Sequence, residues 1–348
     1  MPFKSIRFNR KRCFCQSCIL GIIAGLLAVA GVFFAAEKVS LILATATTGG
    51  TYYPVGVAIA TITTNNLDSS ERISMTAITS AGSGENIQLL KNREADLAII
   101  QSLYGAMAWQ GRGRYEGKEQ RYIRSITVLW ENVEHFVILA KYTQAGDMSD
   151  FANIRKKNFS IGKRGSGTET SGRVILEALG YNPGRDFKLK YLGYNPSAGA
   201  LQNARIVGMN IPAGPPASAV TQAYATIGSQ GIRILEFTDG HIEQVNSSYD
   251  VWKRAVIKSG TYPGQEGDIR TISQANLLVV HQDLAPDVVY KITKNLYENL
   301  TFLRRVHRST EEMSLDRALS GLSVPLHPGA VQYYREKGLQ IPGHLLLK

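Results

Sequence analysis

Strand and helix signals alternate along this chain from residue 40 onward, and the alternation restarts at Phe159. Those two observations predict an α/β protein of two lobes, and 348 residues are enough for two units of ordinary size. A third observation points to what lies between them: three short stretches rich in Gly, Ser and Thr each run from a strand into a helix, and two of them sit far apart in the chain.

Leu41 to Thr45 reads as the first strand. The turn Thr47-Thr48-Gly49-Gly50-Thr51-Tyr52-Tyr53-Pro54 follows, then a helix that places Val55, Ile59 and Ile62 on one face. Ile73 to Ile78 is the second strand, and after Ser80-Ala81-Gly82-Ser83-Gly84-Glu85-Asn86 a helix carries Ile87 and Leu90 and ends near Asn92. Ala95 to Gln101 is apolar on both faces, as a buried parallel strand is. Ile126 to Ala140 is long and rich in β-formers. Phe159 to Gly162 then opens a new strand, the turn Gly165-Ser166-Gly167-Thr168-Glu169, and a helix with Val174, Ile175, Ala178 and Leu179 on one side. Strands crossing between lobes explain the restart, with Asn276 to His281 as the candidate return strand. Val289, Ile292, Leu296, Leu300 and Leu303 mark one long amphipathic helix, and Pro325 and Pro328 break the chain before a last helix around Val331 to Lys337. The expected division is lobe 1 at 37–134 plus about 231–348, and lobe 2 at 135–230.

The first 36 residues stand apart. Lys4, Arg7, Arg10, Lys11 and Arg12 form a basic start with no acid before Glu37, and Ile19 to Ala36 is uncharged and apolar. This reads as a secretory signal peptide, with Ala28-Val29-Ala30 as a cleavage site of small residues and Ala35-Ala36 as a less regular one. The alternative is an uncleaved membrane anchor, because the run is just long enough to span. Cys13, Cys15 and Cys18 all fall in this leader, and none follows the Leu-x-Gly/Ala pattern that lipid attachment requires. The rest of the chain therefore needs a core that holds without disulfides. The net charge of +11 falls to +6 without the leader's five basic residues, and no basic run with interleaved aromatics follows, so a nucleic-acid partner is not expected.

Enzyme chemistry finds little support. Gly82-x-Gly84 and Gly165-x-Gly167 begin like a dinucleotide fingerprint, but Ile87 and Thr170 occupy the position of its last glycine. Lys163 precedes Gly165 and Gly167, whereas a phosphate loop has the Lys after its glycines and beside a Ser or Thr. Ser160-Ile161-Gly162-Lys163 matches Ser-x-x-Lys without the Lys-Thr-Gly or Ser-Asp-Asn that accompany it in penicillin-recognising enzymes. The six histidines lack metal-ligand spacing. No cofactor, metal or catalytic residue is expected.

The three turns suit a different task. Glycine lets the backbone approach a ligand, and a helix N-terminus offers unpaired N–H groups and the positive end of a dipole. Any one of them alone is explained by capping, so the expectation rests on all three meeting in one cleft. Thr51, Ser83, Asn86, Gln101, Ser166 and Thr168 supply polar side chains beside them. Glu85 and Glu169 have capping roles open to them, and Glu169 is equally suited to meet an ammonium; Tyr52 and Tyr53 are as suited to packing as to covering a ligand.

These turns, in this order, resemble the TAXI-type solute-binding proteins of tripartite ATP-independent periplasmic (TRAP) transporters. The likeness runs through Ala95-Asp96-Leu97-Ala98 to Gln101-Ser102, Ala213-Gly214-Pro215, Thr261-Tyr262-Pro263-Gly264 and Pro325-Leu326-His327-Pro328-Gly329-Ala330 with Tyr333-Tyr334. It implies a two-lobed periplasmic-binding-protein fold, type II-like, with hinge-crossing strands and a ligand cleft between the lobes. It also implies a periplasmic receptor that captures a small carboxylate, glutamate-like or a dicarboxylate or 2-oxoacid, and delivers it to TRAP permease subunits without covalent chemistry. Matching residues put Thr51, Tyr52, Ser83, Asn86, Gln101, Ser166, Thr168 and Glu169 in the cleft, with Ala213 and Gly214 contributing backbone. Two residues depart from the pattern: Leu103, where relatives commonly carry an acid, and Arg164, where a Pro is common. An inward Arg164 adds a fixed cation for a carboxylate, and an exposed loop arginine is the alternative. A ligand-sensing receptor on the same fold is the runner-up function, and a hydrolytic enzyme the third.

Overall fold

The computed structural model describes Pro2 and residues 38–347. The leader, its cleavage sites and the three cysteines lie outside the described residues.

The chain enters through β1 (Val39–Ala44), α1 (Tyr52–Glu71), β2 (Ile73–Ile78), α2 (Ser83–Lys91), β3 (Leu97–Gln101) and α3 (Ser102–Gln110). β1 pairs in parallel with both β2 and β3, as the successive βα units predict. The helix α3 is an addition to that reading, because its apolar residues run all around it and leave no periodic stripe. Next come β4 (Ile123–Val133) and β5 (Phe136–Leu139), the two halves of the long β-rich stretch, parted at Glu134 and His135.

β6 (Asn158–Ser160), α4 (Gly167–Ala178), α5 (Pro183–Asp186), β7 (Lys188–Lys190), α6 (Tyr194–Gln202), β8 (Gly208–Asn210), α7 (Ser218–Ile227) and β9 (Ile232–Ile234) follow. These strands and β5 form a five-stranded sheet in the order β7-β6-β8-β5-β9. After α8 (Asp239–Asn246) and β10 (Lys253–Ile257), the chain returns through the 13-residue β11 (Ile269–His281). The first half of β11 pairs with β10 and the second half with β3, while β4 runs antiparallel along its other edge. β4 and β11 are thus the crossing strands, and Asn276 to His281 is the returning half.

β9 lies beyond the lobe boundary expected near 230, yet it pairs with β5 in the five-stranded sheet. Three residues are too few to show a strand period in the sequence. The long helix expected to end past Leu303 is two, α9 (Pro286–Glu298) and α10 (Leu300–Val306), because Asn299 leaves helical geometry at φ −117° and ψ 22°. The last helix, α11, spans Pro328–Glu336.

One core covers the six-stranded sheet, built on Leu43, Ile59, Ile99, Leu278 and Ile292 among others. The five-stranded sheet has a core on each face. Ala198, Leu201, Val220 and Ala223 of α6 and α7 cover one, while Phe136, Phe151, Phe159, Phe187 and Phe237 pack on the other. The Phe151 and Phe159 rings meet edge to face at 4.9 Å. Each buried Phe contributes roughly 1.5–3 kcal/mol, which is how a lobe without cysteine holds together. In both sheets the carboxyl ends of the parallel strands lead into the glycine turns, where open α/β sheets bind their ligands.

Candidate functional site

The three glycine turns meet. Gly82 and Ser83 come from the six-stranded side and Ser166 and Gly167 from the five-stranded side, and all four line one cavity with Gly50, Thr51 and Tyr52. Gly82 sits at φ 117° and ψ −156°, a conformation that a side chain forbids, and so it turns the chain directly into α2. A β-carbon on Gly167 would stand 2.5 Å from Gln101 Oε1 and 2.7 Å from Ser83 Oγ. Only a bare backbone lets the lobes come this close.

The lobes are shut on each other by direct bonds. Thr51 Oγ1 donates to the carbonyl of Gly214 at 2.9 Å, and Ala219 N–H donates to the carbonyl of Gly49 at 3.1 Å. Tyr104 on α3 meets Thr170 on α4 through their hydroxyls at 2.8 Å, and Arg114 Nη1 donates to the same Tyr104 oxygen at 2.7 Å. The space left is about 30 Å³, the room of about one water. A larger groove of about 950 Å³, between α3 and residues 246–251 and 320–325, contains none of the residues predicted for the cleft.

Four helices end their first turns on this cavity. Tyr52, Ser83, Gly167 and Tyr194 are the first residues of α1, α2, α4 and α6, and all line it. In α1, α2 and α6 the N-cap residue makes no side-chain capping bond. Only Ser166 caps its helix, accepting from Glu169 N–H at 3.0 Å. The lining contains one cation, Lys163 at the exposed rim, and no carboxylate. Burial pushes the phenols of Tyr52 and Tyr194 above their ordinary range, so both are neutral. The field inside therefore favours negative charge, by about 0.3 to 1 kcal/mol for each helix end and up to about 2 for a partly buried anion.

Of the residues predicted from sequence, Thr51, Tyr52, Ser83, Gln101, Ser166 and Thr168 line the cavity. Gln101 donates its backbone N–H to Ser83 Oγ at 3.0 Å, and its own Oε1 is buried without a partner. Asn86 does not line it. Its side-chain N–H groups donate to the carbonyls of Thr45 at 2.7 Å and Ile99 at 2.8 Å, and its oxygen accepts from Ser80 Oγ at 2.6 Å, so it ties β1, β3 and the second turn together. Glu169 is also outside, accepting from Gly165 N–H at 2.8 Å and from Arg173 at 3.3 Å as a helix cap. Ala213 exchanges backbone bonds with Val133, and the Gly214 carbonyl is taken by Thr51, so their neighbour Pro212 is the residue that reaches the cavity.

Arg164 points away. Its guanidinium stacks on the Tyr191 ring at 3.7 Å from the centroid, exposed to solvent. The inward arginine is thereby corrected: the cation facing the cavity is the preceding residue, Lys163.

Sequence reasoning missed Tyr194 and Asn132. Tyr194 closes the floor: its hydroxyl meets Thr168 Oγ1 at 2.8 Å and donates to the carbonyl of Pro212 at 2.7 Å. Gly193-Tyr194-Asn195-Pro196 is itself a glycine turn into a helix, the same signal as the other three with fewer Ser and Thr. Asn132 is a lone amide in a buried strand, a pattern without a motif.

Among the described residues, no group of three or more His, Cys, Asp and Glu is arranged to hold a metal ion, and no helix is long and apolar enough to cross a membrane. The fold is that of the periplasmic binding protein BugD, with 15% identity over 86% of this chain and 93% of that one, at a TM-score of 0.51. MatC from Rhodopseudomonas palustris, solved with bound malate, is similar over 87% of this chain and 97% of its own, at 14% identity and a TM-score of 0.50. Such identities establish the two-lobed α/β fold of periplasmic binding proteins. The model of the NMT1-like family matches residues 43–338, most of the chain, and this chain belongs to the NMT1-like family.

Proposed function

We propose that this protein is an exported solute-binding subunit that captures a small carboxylate between its lobes and delivers it to a TRAP-type permease. One observation carries the reading: four helix N-termini, drawn from both lobes, face one enclosed cavity with a lysine at its rim and no acid in its wall. Such a site is built for an anion whose charge is met by backbone N–H groups and neutral hydroxyls. Binding without covalent change is what the resemblance to solute-binding receptors supports. The bound malate of MatC, on the same fold, agrees with a carboxylate ligand. Export and delivery to a TRAP permease rest on the leader and on the resemblance to TAXI-type receptors.

The cavity is smaller than any such ligand. Capture therefore requires the crossing strands to let the lobes part, and the ligand then takes the place of direct contacts such as Tyr194 with Thr168. A thermal-shift screen of amino acids, dicarboxylates and 2-oxoacids tests the reading. A carboxylate that raises the melting temperature in a concentration-dependent way supports it, because a ligand stabilises the state it binds. Stabilisation by cations or uncharged sugars alone would refute it.

A further inference from the structure

From the wall of the cavity a file of polar side chains runs inward, beyond the helix N-termini. Glu134, between the crossing strand β4 and β5, has no exposure, and neither carboxyl oxygen has a hydrogen-bond partner among the described residues. Asn210, Ser171 and Trp252 face it. Both amide atoms of Asn210 and the indole N–H of Trp252 are themselves buried without partners.

Three relationships tie this file to the cavity. Asn132 lines the cavity, and Glu134 follows two residues along the same extended path, whose ladder continues through its N–H to the Ile272 carbonyl; side chains two apart share a face. Pro212 lines the cavity, and Asn210 precedes it by two on the path out of β8. Thr168 lines the cavity, and Ser171 stands one turn further along α4, its hydroxyl 3.5 Å from the Thr168 carbonyl. Tyr194 is the divider, bonded to Thr168 and Pro212 and within reach of the Glu134 charge. On the cavity side, Asn132 and Gln101 Oε1 are likewise unpartnered. Buried polar groups in folded proteins find partners, so a continuous run of unpaired ones marks a place for something that supplies them.

We propose that the file from Gln101 and Asn132 to Glu134 and Asn210 is a second subsite of the cleft, which takes a hydrogen-bond-donating group of the ligand, a protonated amine or a hydroxyl. It rests on the carboxylate reading: the carboxylate sits at the helix N-termini, and the donor reaches the file once Tyr194 turns aside. Burial raises the Glu134 carboxyl to about 7, far above the carboxylate range, against the opposing pull of the Asn210, Ser171 and Trp252 donors that face it, and since neither oxygen forms a well-aligned bond with them, a donor from the ligand completes the partners of the ionised form.

The test is calorimetric titration of the protein, near neutral pH, with two matched trios: succinate, malate and aspartate, and glutarate, 2-hydroxyglutarate and glutamate. Wild type is compared with Glu134→Gln and with Asn210→Ala, each first checked for a native melt. The donor-bearing members of a trio are expected to bind wild type at least roughly 10-fold tighter than the plain diacid. Either variant should cut that advantage to about 3-fold or less while leaving the plain diacid within about 3-fold of wild type, since the plain diacid brings no donor to the file and the gain of its derivatives comes from the bond made there. A loss in Glu134→Gln confined to the amine identifies the charge as what is read, and an equal loss for the hydroxyl identifies the hydrogen bond. Plain diacids that bind wild type as tightly as their derivatives, or variants that keep the full advantage, would overturn the subsite and leave the carboxylate reading standing. Binding of none of the six overturns the subsite, and the carboxylate reading falls with it if the 2-oxoacids of the thermal-shift screen fail as well.

Discussion

Gly84 and Gly165 touch backbone to backbone across the cleft: a β-carbon on Gly84 would stand 2.2 Å from the Gly165 carbonyl oxygen. The two residues belong to turns that enter helices on opposite lobes, so the contact exists only when the cleft is shut. Neither backbone can yield at little cost.

Gly84→Ala should therefore hold the lobes apart without unfolding either. Carboxylate binding is expected to weaken at least about 10-fold, with a larger radius of gyration in solution scattering and a melting temperature close to wild type. Native affinity in Gly84→Ala would show that closure at this contact is not needed.

Asn86→Ala should act on folding more than on binding. It removes the side-chain donors to the buried carbonyls of Thr45, which keeps Ser80 Oγ at 3.0 Å, and of Ile99, at a cost of roughly 1–3 kcal/mol in urea unfolding. Ser166→Ala, by contrast, removes a cavity-lining hydroxyl and a helix cap together, and should cost about 1 kcal/mol of stability. Equal stability of Asn86→Ala and wild type would deny Asn86 its structural role.

Lys163 and Arg164 separate charge from neighbourhood. Lys163→Gln is expected to weaken carboxylate binding by about 0.5–1 kcal/mol, an effect that fades with added salt because the lysine is exposed at the rim. Arg164→Gln, whose guanidinium lies on Tyr191, should leave affinity unchanged. Calorimetry at low and high salt distinguishes them, and the reverse ranking would place the arginine inward after all.

Much of this was legible in the sequence and some was not, for physical reasons. The βα units and their glycine turns show because apolar strands, helical stripes and glycine each leave a local mark, and Gly82 at positive φ is such a mark. Which of Lys163 and Arg164 faces the cleft does not show, because adjacent residues on a turning backbone point to opposite sides and either cation fits the sequence. Tyr194 was hidden because an aromatic residue after a three-residue strand reads equally well as packing. Asn86 was misplaced because a polar residue in a glycine turn looks alike whether it serves a ligand or, as here, two backbone carbonyls and a serine hydroxyl.

Glu134 and His135, adjacent between β4 and β5, titrate in opposite senses. Burial raises the Glu134 carboxyl from 4.5 to about 7, with Asn210, Ser171 and Trp252 facing it and Tyr194 beyond. Above 7 both states are ionised and the folded one bears the burial cost, so this group lowers stability by roughly 3 kcal/mol as pH rises from 4.5 to 7. Burial lowers His135 from 6.5 to about 4, its ring held between the Val133 carbonyl and the Tyr262 hydroxyl. Its contribution is present above 6.5 and is lost as pH falls toward 4. The two slopes oppose each other across that window. Glu134→Gln should therefore give a protein whose urea stability rises from pH 4 to 6.5, while His135→Gln should give one whose stability falls from 4.5 to 7. Parallel profiles for the two variants would contradict both assignments.

The central claim, that helix N-termini from both lobes hold a negative charge, meets its most direct measurement in a pair of ligands differing only in that charge. Calorimetry should be run with whichever carboxylate stabilises the protein most and with its primary amide. The carboxylate is expected to bind at least roughly 100-fold tighter, since the amide forfeits the attraction of several helix ends and offers N–H groups where acceptors are needed. An amide that binds as tightly as its acid would contradict it.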